Sequence, residues 1–265
     1  MRHTHRRSNP LRKLVLALSA VLLILCLLAA FGADLFVPRP EEGTVEYTIW
    51  QYAKEHGYSL NDYPDSLIDL LKRNPETETF VLQYPAHKNT VPSVDISNYL
   101  TQDAVPLFMQ WDTQWGYLTY GSDVAGLTAC GPVCLSMAAV YLTGNSDYSP
   151  DAMIRFATEE GYYVPGSGSS WTLISQGGPK LGLSVTELPL VEGKILKSLA
   201  AGYPVICAMG PGDFTNSGHF IVISGTQDGL LKINDPNSYQ NSEKLWEYEQ
   251  IKGQIRNLWS IAPME

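Results

Sequence analysis

The spacing of apolar positions changes character along the chain, and each change predicts a different element. Leu14 to Ala33 carries no charge and only Ser19 as a clearly polar interruption. At about 1.5 Å per residue, a helix over that run spans a hydrocarbon core of about 30 Å. Thr44 to Glu55 and Asp65 to Arg73 then show the three-and-four spacing of amphipathic helices, the second opened by Asp65 or Ser66 and closed before Asn74-Pro75. From Cys130 to Leu142 the apolar residues run all round, with Pro132 in the first turn, which predicts a buried helix beginning at the cysteine. Further helices are expected over Asp151 to Gly161, over Trp171 to Leu181 with an interruption at Gly177-Gly178-Pro179, and over Glu192 to Ala201. Between the first two, Pro165 to Ser170 reads as a loop, and Trp171 reads as a core anchor. Short runs rich in β-branched and aromatic residues then follow. Val205–Met209, His219–Ser224, Leu230–Asn234 and Leu258–Ala262 are expected strands. Helices first and an antiparallel sheet afterwards predict an α+β fold.

The second and third strands place two polar residues in relation to each other. If Gly225 to Gly229 forms the hairpin loop and Gln227 sits at its centre, His219 falls directly opposite Asp235. Opposed residues have Cβ atoms about 4.5–5.5 Å apart, within reach of a carboxylate–imidazole hydrogen bond. Cys130 supplies the third group. At the start of a buried helix, unpaired backbone N–H groups and the positive end of the dipole favour an anionic sulfur, and a protonated imidazole beside it would favour it further. A thiol, an imidazole and a carboxylate are a nucleophile, a base and an orienting group.

Composition admits an enzyme domain with additions. The chain has 265 residues, 45% hydrophobic and 17% charged, enough for a full core. Its net charge of −9 is unevenly spread: Arg2, Arg6, Arg7, Arg12 and Lys13 precede the apolar run with no acid among them, and the body after it is strongly acidic. That excludes a nucleic-acid-binding surface, which needs clustered positive charge. It also predicts a single-pass anchor with a cytoplasmic tail at 1–13, a transmembrane helix at 14–33 and the enzyme outside the cell. A cleaved signal peptide followed by secretion is the alternative. Residues 34–103, with two amphipathic helical stretches, read as a linker, either a spacer or an inhibitory segment.

The four cysteines form no disulfide framework, because Cys26 lies in the span, Cys207 in a strand, and Cys130 and Cys134 one helical turn apart. No histidine stands at metal-ligand spacing from them, so no metal and no cofactor are expected. His3 and His5 belong to the tail, His56 to a charged helix end and His87 to a loop, which leaves His219 as the base.

The run Cys130-Gly131-Pro132-Val133-Cys134-Leu135-Ser136-Met137, with His219-Phe220-Ile221-Val222 and Asn234-Asp235-Pro236, resembles the bacteriocin-processing, double-glycine-leader peptidases and their stand-alone relatives. These are a branch of the papain-like cysteine peptidases, and the resemblance covers about residues 104–263, which implies a catalytic domain over 104–265 and a helical cap over 34–103. It implies a papain-like fold with Cys130 as nucleophile, His219 as base and Asp235 orienting it, and with Cys134 on the inner, non-catalytic position. Papain-like enzymes usually carry an oxyanion-binding glutamine about six residues before the nucleophile, where this chain has Val124. Gln110, in Gln110-Trp111-Asp112, looks like the glutamine of the stand-alone relatives; the alternative is a surface strand residue. The expected activity is cleavage of a peptide or protein substrate through a thioester, after a small residue such as glycine as the resemblance implies. A cell-wall peptide hydrolase or acyltransferase of the same fold, and an inactive peptide-binding domain, are the rival readings.

Overall fold

A computed structural model describes residues 39–91 and 93–264, together with Val15, Leu18, Ser19, Val21 and Leu22. Most of the expected anchor, and the whole of the basic tail, therefore lie outside the described residues. Among the described residues no helix is long and apolar enough to cross a membrane. Contacts divide the chain into two compact units, Met1–Asp62 and Tyr63–Glu265. The first contains α1 (Val45–His56), capped by the Thr44 side chain and ended by Gly57 in the left-handed region.

The second unit begins with α2 (Asp65–Arg73) and α3 (Glu78–His87). The sequence spacing gives the first of these to the residue. The second was not expected, because Pro85 stands in its last turn, where a proline ordinarily argues for a helix end. His87 accordingly closes a helix rather than lying in a loop, and it is half-buried against Tyr117 with ring centroids 5.3 Å apart.

Next comes α4 (Cys130–Thr143), in which every residue from Gly131 to Val140 is buried. An apolar surface on all sides needs neighbours on all sides. It packs with α5 (Pro150–Glu159) and with one face of a six-stranded sheet. The strands are β1 (Leu183–Glu187), β2 (Val205–Met209), β3 (His219–Gln227), β4 (Leu230–Asn234), β5 (Leu245–Trp246) and β6 (Ile255–Pro263), with α6 (Glu192–Ala200) between the first two. Their order across the sheet is β1-β6-β2-β3-β4-β5, and every neighbouring pair is antiparallel. The α+β expectation is met, and the two strands of this sheet that it lacked, β1 and β5, are the edges, where short half-exposed runs leave a weak pattern.

Ile206, Ala208, Phe220, Val222, Trp259 and Ile261 form one core with the α4 residues. Val205, Cys207, Met209, Ile221, Ile223 and Ile233 form another with Ile195 of α6. With both faces covered, β2 is buried at every position, and its sequence lacks polar alternation for that reason. Trp171 corrects an expectation. It is 47% exposed and meets Trp259 edge-on, in the turn just before a short π-helical region (Leu173–Gly177) that replaces the expected regular helix.

Candidate active site

The hairpin that carries His219 and Asp235 differs from its expected form. The strands run on to Gln227↔Leu230, so the turn is the two-residue Asp228-Gly229, with φ of +53° and +81°. Asp-Gly is a strong signal for such a turn, because both central residues need positive φ. The register set by that turn holds as far as Gly225↔Lys232, then slips by one residue to Ile223↔Ile233 and Val222↔Asn234, with Ser224 as the extra residue of a bulge. Continued past the ladder, the slipped register puts Asp235 level with Ile221, two residues along from His219. The pair is diagonal, not directly opposed.

The two side chains nevertheless meet: His219 Nε2 lies 2.7 Å from Asp235 Oδ1, with His219 8% and Asp235 1% exposed. The carboxylate accepts two further hydrogen bonds. Its Oδ1 also accepts from the Asn237 backbone N–H at 2.9 Å, and its Oδ2 accepts from Asn241 Nδ2 at 2.8 Å. Burial would push the imidazole down, but the charge and hydrogen bond of Asp235, followed by the hydrogen bond and charge of Cys130, raise it from 6.5 to about 10. With Nε2 occupied by Asp235, Nδ1 is the ring nitrogen left for the sulfur. Asn234, at the end of β4, fixes the start of this loop by donating to the carbonyls of Val105 and Pro106 at 3.0 and 2.9 Å.

Cys130 is half-buried at the first position of α4, while Cys134, one turn in, is fully buried. Burial, aided by the neighbouring charges of Cys130, Asp235 and Cys207, holds the Cys134 thiol well above its usual range, so it stays protonated. The described cysteines, Cys130, Cys134 and Cys207, are all free. Gly131 admits a loop against the nucleophile's helix: a Cβ there would meet Ser169 Oγ at 2.7 Å. Ser169 Oγ in turn pairs with the buried Tyr120 hydroxyl at 2.8 Å. Burial raises that phenol to about 12, with the Ser169 bond opposing and the Cys130 charge adding, so it remains neutral.

Gln110 is not a surface strand residue. It lies in a turn, 4% exposed, with its backbone N–H donating to the Pro236 carbonyl at 2.7 Å and its side-chain Nε2 donating to the Gly126 carbonyl at 2.8 Å. Those partners are the neighbour of Asp235 and a residue one turn ahead of Cys130, so the glutamine bridges the aspartate's loop and the segment that leads into the nucleophile's helix. Its Oε1 is buried without a protein partner, which orients the amide by its N–H side alone. Such a group costs about 1–3 kcal/mol, and uncompensated costs of this kind cluster at functional sites.

The sequence did not reveal Asn237, Asn241, Tyr120 or Ser169 as parts of this neighbourhood. Asn237 stands within the Asn234-Asp235-Pro236-Asn237 run, and an Asx-type turn residue two places after an aspartate was the available signal.

A helix-borne cysteine, a strand-borne histidine and a buried aspartate on one α+β scaffold define the architecture of a papain-like cysteine peptidase. The chain belongs to the Peptidase_C39 like family, whose family model matches residues 102–262. Two solved structures also match. The peptidase domain of Streptococcus ComA, a bi-functional ABC transporter involved in a quorum-sensing pathway, is 22% identical with a TM-score of 0.42, covering 60% of this chain and 99% of that one. A C39-like peptidase from Bacillus anthracis is 16% identical with a TM-score of 0.42, covering 65% of this chain and 98% of that one. No curated protein matches the chain.

Proposed function

We propose that the protein is a cysteine peptidase that cleaves peptide bonds with Cys130 as nucleophile, His219 as acid and base, and Asp235 as the group that orients the ring. The observation that carries this reading is the buried 2.7 Å contact between His219 and Asp235, on a ring whose pKa Cys130 also raises. The Cys130 sulfur, having given its proton to His219, attacks the substrate carbonyl carbon and forms a C–S bond. The oxyanion is held by the N–H groups at the start of α4 and by the second N–H of the Gln110 side chain. Imidazolium then protonates the departing nitrogen as the C–N bond breaks. Water attacks the thioester, its proton passes to the imidazole, and the thiol is released. Asp235 stabilises the imidazolium and fixes its tautomer.

The substrate in this reading is a peptide or protein outside the cytoplasm, cut after small residues such as Gly-Gly, with the enzyme tethered by the 14–33 helix. The uncharged apolar run from Leu14 to Ala33, behind a basic stretch, supports the tether. A thiol-reactive peptide probe tests the chemistry: labelling should vanish in both Cys130→Ala and His219→Ala, and labelling indifferent to His219 would leave only peptide binding. Trapping the acyl-enzyme with Gly-Gly peptides and with cell-wall fragments tests the substrate. Capture by wall fragments alone would overturn the Gly-Gly specificity.

A further inference from the structure

Both oxygens of the Asp235 carboxylate can be traced through hydrogen bonds to one turn of the chain that precedes the family-matched region. The first path runs through Asn237. Its N–H donates to Oδ1, and its carbonyl accepts from Asn74 Nδ2 at 2.6 Å and from Trp111 Nε1 at 3.1 Å, so residue 237 is gripped on both sides. The second path runs through Asn241. Its Nδ2 donates to Oδ2, and it belongs to the single helical turn Tyr239–Glu243, whose leading N–H groups, those of Tyr239 and Gln240, donate to the two oxygens of Glu76 at 2.7 and 3.0 Å. Asn74 and Glu76 are themselves coupled, because the Glu76 N–H donates to Asn74 Oδ1 at 3.1 Å in the short 3₁₀ turn Pro75–Thr77.

We propose that the Asn74–Glu76 turn is a positioning element of the active site, holding the Asp235 carboxylate square to the His219 ring. The proposal rests on the peptidase reading given above and goes beyond it. In this arrangement the stretch between α2 and α3 is part of the catalytic unit: the two amide donors to Asp235 sit on a loop that Gln110, Trp111 and Trp246 also hold through Pro236, Asn237 and Asn241, and Asn74 and Glu76 are the ties that join it to the α2–α3 framework. A carboxylate free to rotate would stabilise imidazolium less, and the sulfur would lose its ion partner at lower pH. The charged or titratable groups facing the His219 ring are Asp235 and Cys130.

The test is the pH dependence of Cys130 alkylation by iodoacetamide in the full chain, with a Cys130→Ala blank to subtract other thiols. Glu76→Gln places an amide N–H₂ against a backbone N–H, and Asn74→Ala removes one donor, so each loosens one path. Each variant should move the alkaline inflection down by about half a pH unit or more while melting within a few degrees of wild type, and neither should move it further when placed in an Asp235→Asn background. An unmoved inflection overturns the proposal, whatever happens to the melting temperature. So does a shift of equal size in the Asp235→Asn background, or a failure of both variants to fold, which would mark a purely structural role. If alkylation of the wild type does not depend on His219 at all, the peptidase reading falls first and this inference with it. Dependence on His219 with indifference to residues 74 and 76 removes the inference alone.

Discussion

His219 and Asp235 meet because Ser224 is an extra residue in β3. The Asp228-Gly229 turn on its own would put Asp235 level with Val222, three residues from His219 and of opposite side-chain parity. The bulge changes that offset to two, which restores the parity and leaves the 2.7 Å contact as a diagonal one. Removing Ser224 should therefore cost more than a loop deletion does. A Ser224 deletion is expected to keep the hairpin and lose peptide-probe labelling by at least about 100-fold, checked by labelling kinetics beside a circular-dichroism spectrum.

The elevated imidazole also sets a pH dependence of stability. With His219 at about 10 in the folded chain and 6.5 ordinarily, the folded state binds more protons across that interval. Its contribution is complete below about 6.5 and fades as pH rises towards 10. Denaturant midpoints measured at pH 6, 8 and 10 should fall with pH in the wild type and fall less in Asp235→Asn. The asparagine is not a neutral replacement, since its amide would face the Asn241 donor.

Gln110→Ala should lower kcat by about 10²–10³-fold if the free amide N–H stabilises the oxyanion, with little change in KM. Single-turnover acylation rates read this directly. An unchanged rate would return Gln110 to a structural bridge between Pro236 and Gly126.

Gly131→Ala introduces a methyl group at 2.7 Å from Ser169 Oγ and 3.2 Å from Leu173 Cδ2. Overpacking of this kind costs about 1–3 kcal/mol, and relief requires the 168–173 loop to retreat from the nucleophile. The expected outcome is a lower melting temperature together with a changed KM, separable by calorimetry and steady-state kinetics.

Phe80 sits under the site: a Cβ on Gly126 would come within 2.4 Å of its ring and one on Gly116 within 2.8 Å. Phe80→Ala should destabilise by about 3–5 kcal/mol and also slow acylation, because Gly126 carries the carbonyl that holds Gln110. Thermal melts and acylation rates on the same preparation check both effects.

The sequence by itself determined the elements whose signals are local. The all-round apolar run after Cys130, with its early proline, specifies a buried helix with a cysteine at its head. The apolar spacing from Asp65 to Arg73 specifies α2, and the short apolar, β-branched runs at 205–209 and 230–234 specify strands. Tertiary structure decided the rest, because it depends on groups that meet only after folding. Trp171 is apolar enough for a core, yet in the turn before the short π-helical region it is 47% exposed. Gln110 acquires its orientation from Pro236 and Gly126, and Asp235 from Asn237 and Asn241. Glu76 bonds amides 163 and 164 residues further along the chain. Periodicity and capping are written in neighbouring residues, whereas a hydrogen bond across that separation leaves no mark on the local pattern at either end.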